Sequence, residues 1–296
     1  MAGEISRREL IAGTVVAAAS IGTPQRGSVQ MWAPKKAMIF QDLREPDRSV
    51  EDRFKIIRDL GFQGVESQPV HDRAEAERMR RAAESAGIRV HSIIYGGWNP
   101  PLSDPDRGRR DESRKNAELA IRSAADMGAD NVLLVPAVVN AKTPYADAWK
   151  LSSEQIKRLI PTAQKSGIRL DVEEVWNNFL LSPLEFARYV DSFRSRWVQA
   201  YFDVGNVVRF AWPEDWIRTL GRRIRKVHIK DFKGGPGLGT GGQWVNLWEG
   251  SINWPEVRRA FLEVGFSDFM TVELGGGNEA FFKDVSARVD RIIAGG

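Results

Sequence analysis

The stretch LDVEEVWNNFLLSP, residues 170–183, places two adjacent glutamates, Glu173 and Glu174, at the end of a segment with the pattern of a buried strand. A carboxylate is costly to bury there unless it is paired or binds a metal. Because successive side chains of a strand point to opposite sides, the apolar Leu170 and Val172 share one side and Glu173 takes the other. The stretch therefore predicts a strand that directs Glu173 inward, whereas Glu174 has outward parity and begins a loop.

The same alternation of short apolar runs and amphipathic segments continues along the chain. The predicted strands are KAMIF (36–40), GVES (64–67), RVHSII (89–94), NVLLVP (131–136), RLDVE (169–173), VQAYFD (198–203), KVHIKD (226–231) and FMTVE (269–273). The predicted helices span residues 49–60, 73–87, 111–128, 153–166, 183–194, 213–222, 254–264 and 279–293. Eight strand–helix units without a dividing linker predict an α/β fold, a single (β/α)8 TIM barrel over residues 28–296. A doubly wound open sheet is the alternative, disfavoured because no Gly-x-Gly-x-x-Gly follows any strand.

Two local features of the sequence lead to further structural predictions. Pro161 falls inside the fourth predicted helix and is expected to kink or split it. The run GGPGLGTGG, residues 234–242, lacks the Gly-Lys-Ser/Thr of a phosphate-binding loop, so we expect a mobile surface loop there.

The first residues differ in kind from the rest. Arg7 and Arg8 precede an uncharged, mostly apolar run at residues 10–21, which is too short to cross a bilayer as a helix. This pattern resembles a twin-arginine export signal, with AAA at residues 17–19 as the cleavage site. We therefore assign residues 1–27 to an export signal and linker and expect a periplasmic protein. A cytoplasmic location is the alternative if the start of the chain is misassigned.

Composition excludes several classes of site. The chain has 296 residues, 42% of them hydrophobic, and 43 Lys+Arg against 39 Asp+Glu, so its formal net charge is +4. The basic residues are scattered, and we predict neither a nucleic-acid partner nor insertion into a membrane. The absence of cysteine excludes disulfides, thiolate metal sites and cysteine nucleophiles.

The fifth to eighth strands each carry an inward polar residue near the carboxyl end. Strand parity selects Glu173, Asp203, His228 and Glu273. Active sites of barrels lie at this rim, and three carboxylates gathered there repel one another unless a cation lies among them. We therefore expect one divalent metal ion. Three oxygen donors and one imidazole favour Mn²⁺, with Mg²⁺, Zn²⁺, Co²⁺ and Fe²⁺ as alternatives.

Other polar and aromatic residues fall near the same rim. Lys230 has inward parity on strand seven, and Glu66 ends strand two, where it is expected to contact either substrate or a metal ligand. His91 shares inward parity with Ile93 and Tyr95, and we favour a core role for it. Tryptophans suit stacking on a sugar but are also ordinary core filling. Those in predicted loops after strands are Trp98, Trp176, Trp244 and Trp248.

Four motifs at these residues resemble the xylose isomerase-like barrel superfamily, the sugar phosphate isomerase/epimerase group. They are EEVWNNFLLSP after strand five, YFDVGN at strand six, VHIKD at strand seven and INWPEVRRAFLEVGFSDFMTVE leading into strand eight. The resemblance runs over nearly all of residues 35–296 and implies the same four metal ligands. This chain has Glu174 where the family commonly has Asn. Asn206 stands where many relatives have a substrate-binding histidine, and Lys233 stands near the place where keto-sugar epimerases often have an arginine.

The resemblance implies a metal-dependent isomerase or epimerase of a small carbohydrate that acts through an enediolate, with Glu173 and Glu273 as paired proton carriers. The predicted substrate contacts are Asn206, Lys230, Trp98, Trp176 and Glu66. Two alternatives stay open: a lyase or hydratase acting on 3-keto sugars or glycosides, and a non-catalytic sugar-binding subunit. An abasic-site endonuclease is disfavoured, because its three-zinc site needs several histidines and the chain has 3. Formation of a homo-oligomer is left open.

Overall fold

A computed structural model describes residues 32–234 and 241–296 of the chain. The predicted export signal at residues 1–27 and most of the glycine-rich run at 234–242 lie outside the described residues. No helix within the described part is both long and apolar enough to cross a bilayer.

Eight parallel strands form the barrel. They are β1 (Lys35–Ile39), β2 (Gly64–Ser67), β3 (Arg89–Gly96), β4 (Asn131–Leu134), β5 (Arg169–Glu173), β6 (Val198–Asp203), β7 (Ile224–Ile229) and β10 (Phe269–Val272). Their order around the ring is β1-β10-β7-β6-β5-β4-β3-β2, and the ring is closed. Two further strands, β8 (Asp231–Lys233) and β9 (Gln243–Val245), form an antiparallel hairpin outside the ring. The closed ring confirms the TIM barrel, and the open-sheet alternative is wrong.

Helices alternate with the barrel strands. They are α1 (Val50–Asp59), α2 (Arg73–Ser85), α3 (Arg107–Met127), α4 (Tyr145–Ser166), α5 (Pro183–Ser192), α6 (Val204–Val208), α7 (Pro213–Leu220), α8 (Trp254–Val264) and α9 (Glu279–Ala294). Several begin at a polar residue whose side chain accepts a hydrogen bond from a backbone N–H of the first turn, as Ser49 does for α1 and Asp72 for α2. Such caps explain why the predicted starts of these helices agree with the structure.

Helix α4 begins earlier than predicted and is not split by Pro161. Its additional first turns contain Tyr145 and Trp149, which pack on Phe179 with ring centroids 5.1 and 6.0 Å apart. Tertiary packing therefore extends the helix beyond its amphipathic segment. Pro161 lies on the exposed side, so the carbonyl that it leaves without a helical partner faces water.

A β-bulge at His91 changes the parity of β3. Val65 of β2 pairs with Val90, but the next residue of β2, Glu66, pairs with Ser92. Strand β3 therefore contains one residue more than its neighbour at this point, and the alternation of inward and outward side chains shifts by one.

The bulge explains why part of the predicted parity of β3 is wrong. Ile94 faces the interior, where it lines the chamber described below, so Ile93 is directed to the helix layer. The Tyr95 hydroxyl donates a hydrogen bond to the carbonyl of Ser113 in α3 at 2.9 Å, so Tyr95 also faces outward. His91 is fully buried, as expected of a core residue.

The carboxylate of Asp231 ties the β8–β9 hairpin to helix α8. One oxygen accepts the backbone N–H of Phe232 at 2.9 Å, and the other accepts the backbone N–H of Trp248 and the indole N–H of Trp254, both at 3.0 Å. Gly250 approaches so closely that a β-carbon there would overlap this carboxylate. The last residue of the VHIKD motif is therefore a buried loop anchor.

We expect Asp231→Ala to lower the free energy of unfolding by about 2–4 kcal/mol, because it leaves buried N–H donors without an acceptor. Urea unfolding followed by tryptophan fluorescence measures the change. Glu249→Ala is the control in the same loop, since Glu249 forms an exposed ion pair with Arg288, and it is expected to cost less than about 0.5 kcal/mol. Equal stability of Asp231→Ala and the unmutated protein would contradict the anchoring role.

Candidate active site

The barrel brings the four predicted metal ligands together at the carboxyl ends of neighbouring strands. Glu173 ends β5, Asp203 ends β6, His228 lies in β7 and Glu273 follows β10. One potential ligand atom from each lies within 4.8 Å of all the others. Three of these residues are buried, and Glu273 is partly exposed. Four donor atoms at this spacing are arranged to surround a single ion.

The imidazole of His228 is oriented by acids on both of its nitrogens. Nδ1 lies 3.1 Å from the carboxylate of Glu173 and 3.4 Å from that of Glu273, so this nitrogen faces the cluster. Nε2 lies 2.5 Å from an oxygen of Glu66. A carboxylate behind a ligating histidine favours the N–H on its own side and leaves the other nitrogen free to donate its lone pair. The ring would therefore present Nδ1 to a metal in the cluster.

Glu66 supports His228 and is not directed at the chamber described below. Its side chain is fully buried, and its second oxygen accepts a hydrogen bond from the hydroxyl of Ser92. This position does not match the predicted substrate contact, because the imidazole lies between Glu66 and the cluster. The position of Glu66 matches the other expectation, in which its carboxylate contacts a predicted metal ligand.

Lys230 lies at the edge of the cluster. Its Nζ is 2.7 Å from Asp203 and 2.5 Å from Glu273, and it lies 4.9 Å from the ring centre of Trp244. Burial by itself lowers the pKa of this ammonium group, but Asp203 and Glu273 outweigh burial and raise the pKa above its ordinary value. The Asp203 oxygen that faces this ammonium group is Oδ2, which is buried. A metal at this oxygen would therefore compete with Lys230.

The carboxyl groups of the cluster have divergent pKa values. Burial raises the pKa of Glu173 to about 7 and also raises the pKa of Asp203. At Glu273 the effect of burial is outweighed by the charges of His228 and Lys230, which lower the pKa to about 2. A cation holds buried acids of this kind in the ionised form. The donor set of three carboxylates and one imidazole fits one divalent metal ion.

Glu174 turns away from the cluster and contacts the end of β6. Its Oε1 accepts the backbone N–H of Asp203 at 2.9 Å, and its backbone carbonyl accepts the side-chain amide of Asn206 at 2.9 Å. Burial, together with the charges of Asp203 and Glu173, raises the pKa of Glu174 well above its ordinary value. Of the two adjacent glutamates, Glu173 belongs to the cluster and Glu174 joins β5 to β6.

A chamber of about 250 Å³ opens beside the cluster. Glu173, His228 and Glu273 form its polar floor. Four of the predicted substrate contacts line its walls, and these are Asn206, Lys230, Trp98 and Trp176. Apolar side chains complete the wall, among them Ile94, Leu133, Val135 and Trp244. The chamber thus combines a floor that could hold a metal with apolar faces, a lining that suits a sugar.

Trp244 reaches the chamber on the hairpin that the strand prediction missed. It stacks on Trp176 with ring centroids 5.0 Å apart, and Phe232 packs edge-on against both rings. Phe232 and Trp244 face each other in the β8–β9 register. Aromatic residues on both sides of a glycine-rich run are a hairpin signal, and they could have identified these strands. Trp248 does not line the chamber. Its indole N–H donates a hydrogen bond to the carbonyl of Arg288 at 3.1 Å.

Known proteins share this architecture. A model of the family described as xylose isomerase-like TIM barrel matches residues 54–288. An Escherichia coli (strain K12) protein with the name "Putative L-ribulose-5-phosphate 3-epimerase SgbU" is 22% identical over 251 residues, which cover 80% of this chain and 87% of that protein. The solved structure of an L-ribulose 3-epimerase has a TM-score of 0.73 at 18% identity and covers 88% of this chain and 95% of its own. The solved structure of a 3-keto-D-glucoside 4-epimerase from E. coli has a TM-score of 0.71 at 15% identity. It covers 90% of this chain and 100% of its own.

The structural matches, at these identities, show a shared fold. The family match covers most of the barrel, from α1 to α9. The chain therefore belongs to the xylose isomerase-like TIM barrel family.

Proposed function

We propose that this protein is a metal-dependent epimerase or isomerase of a small carbohydrate. The observation that carries the proposal is the four-residue cluster, which opens into a chamber of the size of a single sugar ring between tryptophans. Indole rings pack well on the apolar faces of sugars. The names of two relatives, an L-ribulose-5-phosphate 3-epimerase and an L-ribulose 3-epimerase, support the same reaction class.

The residues proposed to hold the ion are Glu173, Asp203, His228 and Glu273. Three oxygens and one nitrogen favour Mn²⁺, and Mg²⁺, Zn²⁺, Co²⁺ and Fe²⁺ are alternatives. When bound, the ion polarises a carbonyl oxygen and a neighbouring hydroxyl of the sugar and so acidifies the C–H group between them.

Glu173 and Glu273 are the proposed proton carriers. Both line the chamber, one from the end of β5 and the other from the end of β10, with β6 and β7 between them in the ring. One carboxylate removes the proton from the acidified carbon, and the other returns a proton to the resulting enediolate. Return to the opposite face of the same carbon gives an epimer, and return to the adjacent carbon gives an aldose–ketose isomerisation.

The chamber favours an uncharged sugar over a sugar phosphate. Of the described residues that line it, Lys230 is the one cation, and its ammonium group is already paired with Asp203 and Glu273. Phosphate groups are usually bound by several cationic or N–H donors. The proposed export signal at residues 1–27 agrees with this substrate class, because phosphorylated sugars are mostly cytoplasmic.

Four side chains are the proposed substrate contacts. Lys230 and Asn206 place polar groups at the wall of the chamber, where they can bind sugar hydroxyls. Trp98 and Trp176 offer partly exposed indoles, which can pack on the C–H faces of the ring.

A lyase acting on 3-keto glycosides is the second candidate. In that reaction a glutamate removes the proton at C2, the C2–H electron pair forms the C1–C2 double bond, and the aglycone leaves from C1 with the bonding electrons and then gains a proton. The observation that favours it is a second, largely apolar cavity beside the chamber, with space for a group attached to the sugar.

Protein loaded with Mn²⁺ is expected to exchange the C3 proton of a ketohexose, or the C2 proton of a 3-keto glucoside, for deuterium from the solvent. Glu173→Gln and Glu273→Gln are each expected to slow the accompanying formation of the epimer by about 10³-fold, because epimerisation needs both proton carriers. Proton NMR in D₂O, with a panel of ketoses, aldoses and 3-keto glycosides, measures the exchange.

Metal content and ligand affinity separate the remaining outcomes of this assay. A non-catalytic sugar-binding subunit predicts no exchange in the unmutated protein and nearly unchanged sugar affinity in Glu273→Gln. Absence of exchange and of product across the panel, with metal demonstrably bound, would refute the enzymatic proposal.

We expect Glu66→Gln to weaken Mn²⁺ binding by about 10–100-fold, because the variant loses the charge that orients His228. Isothermal titration calorimetry measures the affinity. Glu174→Gln makes the same chemical change in an acid outside the cluster and keeps an acceptor for the N–H of Asp203, so its affinity is expected to stay within a few-fold of the unmutated protein. Loss of metal binding in Glu174→Gln but not in Glu173→Gln would show that the assigned register of β5 is off by one.

A further inference from the structure

A second cavity, of about 600 Å³, lies beside the chamber, and we call it the side pocket. Val175, Trp176 and Asn206 line both spaces, so the side pocket adjoins the chamber that contains the cluster. The outer walls come from the loop after β5 and from the end of α6. The residues used below are Leu181, Arg209 and Phe210.

The loop that forms the side pocket is held in a strained conformation. Asn178 and Leu180 have φ angles of 62° and 58°, in the left-handed region that costs residues other than glycine roughly 1–2 kcal/mol each. Contacts outside the loop maintain this conformation: the N–H of Leu180 donates to the hydroxyl of Tyr145 at 2.8 Å, and the amide of Asn177 donates to the carbonyl of Ala137. Strain maintained in this way is typical of a loop whose shape has a function.

Trp176 forms a fixed partition between the two spaces. Its indole N–H donates to the carbonyl of Asn206 at 2.8 Å, and one face of the ring stacks on Trp244 at 5.0 Å. The guanidinium of Arg209 lies 4.9 Å from the ring centre. Arg209 makes no ion pair with any residue in the described part of the chain. The exposed part of the indole therefore lies beside a cation that makes no ion pair within the described part of the chain.

Six of the ten residues that line the side pocket are apolar, and the other four are Glu174, Asn178, Asn206 and Arg209. Leu181 is 54% exposed and Trp176 is 41% exposed, although both are large apolar residues. Phe210 adds a further aromatic side chain. Surfaces of this kind gain free energy when an apolar group covers them.

We propose that the substrate is a 3-keto glycoside with an aromatic aglycone, whose sugar ring occupies the chamber and whose aglycone occupies the side pocket. This inference rests on the proposed function, since it takes the sugar to lie at the cluster. An aromatic ring in the side pocket packs against Trp176 and Leu181, and the guanidinium of Arg209 provides a cation–π contact. The exposed side chains of Trp176 and Leu181 give an aromatic ring more contact area than they give the hydroxyls of a second sugar unit.

The test compares phenyl and methyl D-glucopyranosides of both anomers, with the full-length protein loaded with Mn²⁺. We expect the phenyl glycoside of one anomer to bind about tenfold more tightly than the matching methyl glycoside, as measured by calorimetry or by NMR titration. Leu181→Asn is expected to reduce this preference at least about threefold and to leave the affinity for the methyl glycoside unchanged. Leu184→Asn is the matched control, because Leu184 is 71% exposed in the first turn of α5 and does not line the side pocket.

Equal affinities for phenyl and methyl glycosides, no detectable binding of the phenyl glycosides, or a preference that Leu181→Asn leaves intact would each overturn the inference. The outcomes also distinguish a failure of this inference from a failure of the proposed function. A phenyl preference that Leu181→Asn removes, with no proton exchange in any sugar, supports the side pocket and refutes the epimerase. Proton exchange in a free ketose without a phenyl preference supports the epimerase and refutes the aromatic aglycone.

Discussion

Repulsion among three carboxylates held within 4.8 Å of one imidazole is the constraint on which the site depends. Burial removes the water that would screen these charges, so the acids either take up protons or attract cations. Lys230 provides one positive charge between Asp203 and Glu273, and Glu66 fixes the tautomer of His228 from behind. The negative charge of the cluster therefore explains why Lys230 and Glu66 lie next to it.

Buried acids elsewhere in the barrel show how the cluster differs from a structural feature. Asp231 is also fully buried, but N–H groups of the polypeptide bind both of its oxygens, so it needs no cation. Glu174 has one oxygen on the N–H of Asp203 and braces the neighbouring strand. In the cluster the acids instead face one another and the imidazole. The distinction lies in the partners of the carboxylates, since Asp203, Glu173, Glu174 and Asp231 are all buried.

Strand parity predicted the cluster from sequence because β5 and β6 are regular, and β7 is regular after an irregularity at Arg225, so alternation places Glu173, Asp203 and His228 on one side. The same rule failed in β3, where the bulge at His91 adds a residue that no apolar pattern reveals. The hairpin carrying Trp244 was missed because its strands are short and flank a glycine-rich run. The first turns of α4 depend on contacts with Phe179, which is distant in sequence. Regular local structure could therefore be predicted, and features that depend on tertiary contacts could not.

The position of a bound metal ion distinguishes the proposed cluster from any other site in the barrel. Crystals grown with Mn²⁺ and measured for anomalous scattering at the manganese edge locate the ion without reference to any substrate. The proposed site predicts one strong anomalous peak within bonding distance of Glu173, Asp203, Nδ1 of His228 and Glu273, with the ammonium group of Lys230 displaced from at least one of its two acidic partners. Absence of a peak at this cluster, or a peak bound by Glu174 in place of Glu173, would contradict it.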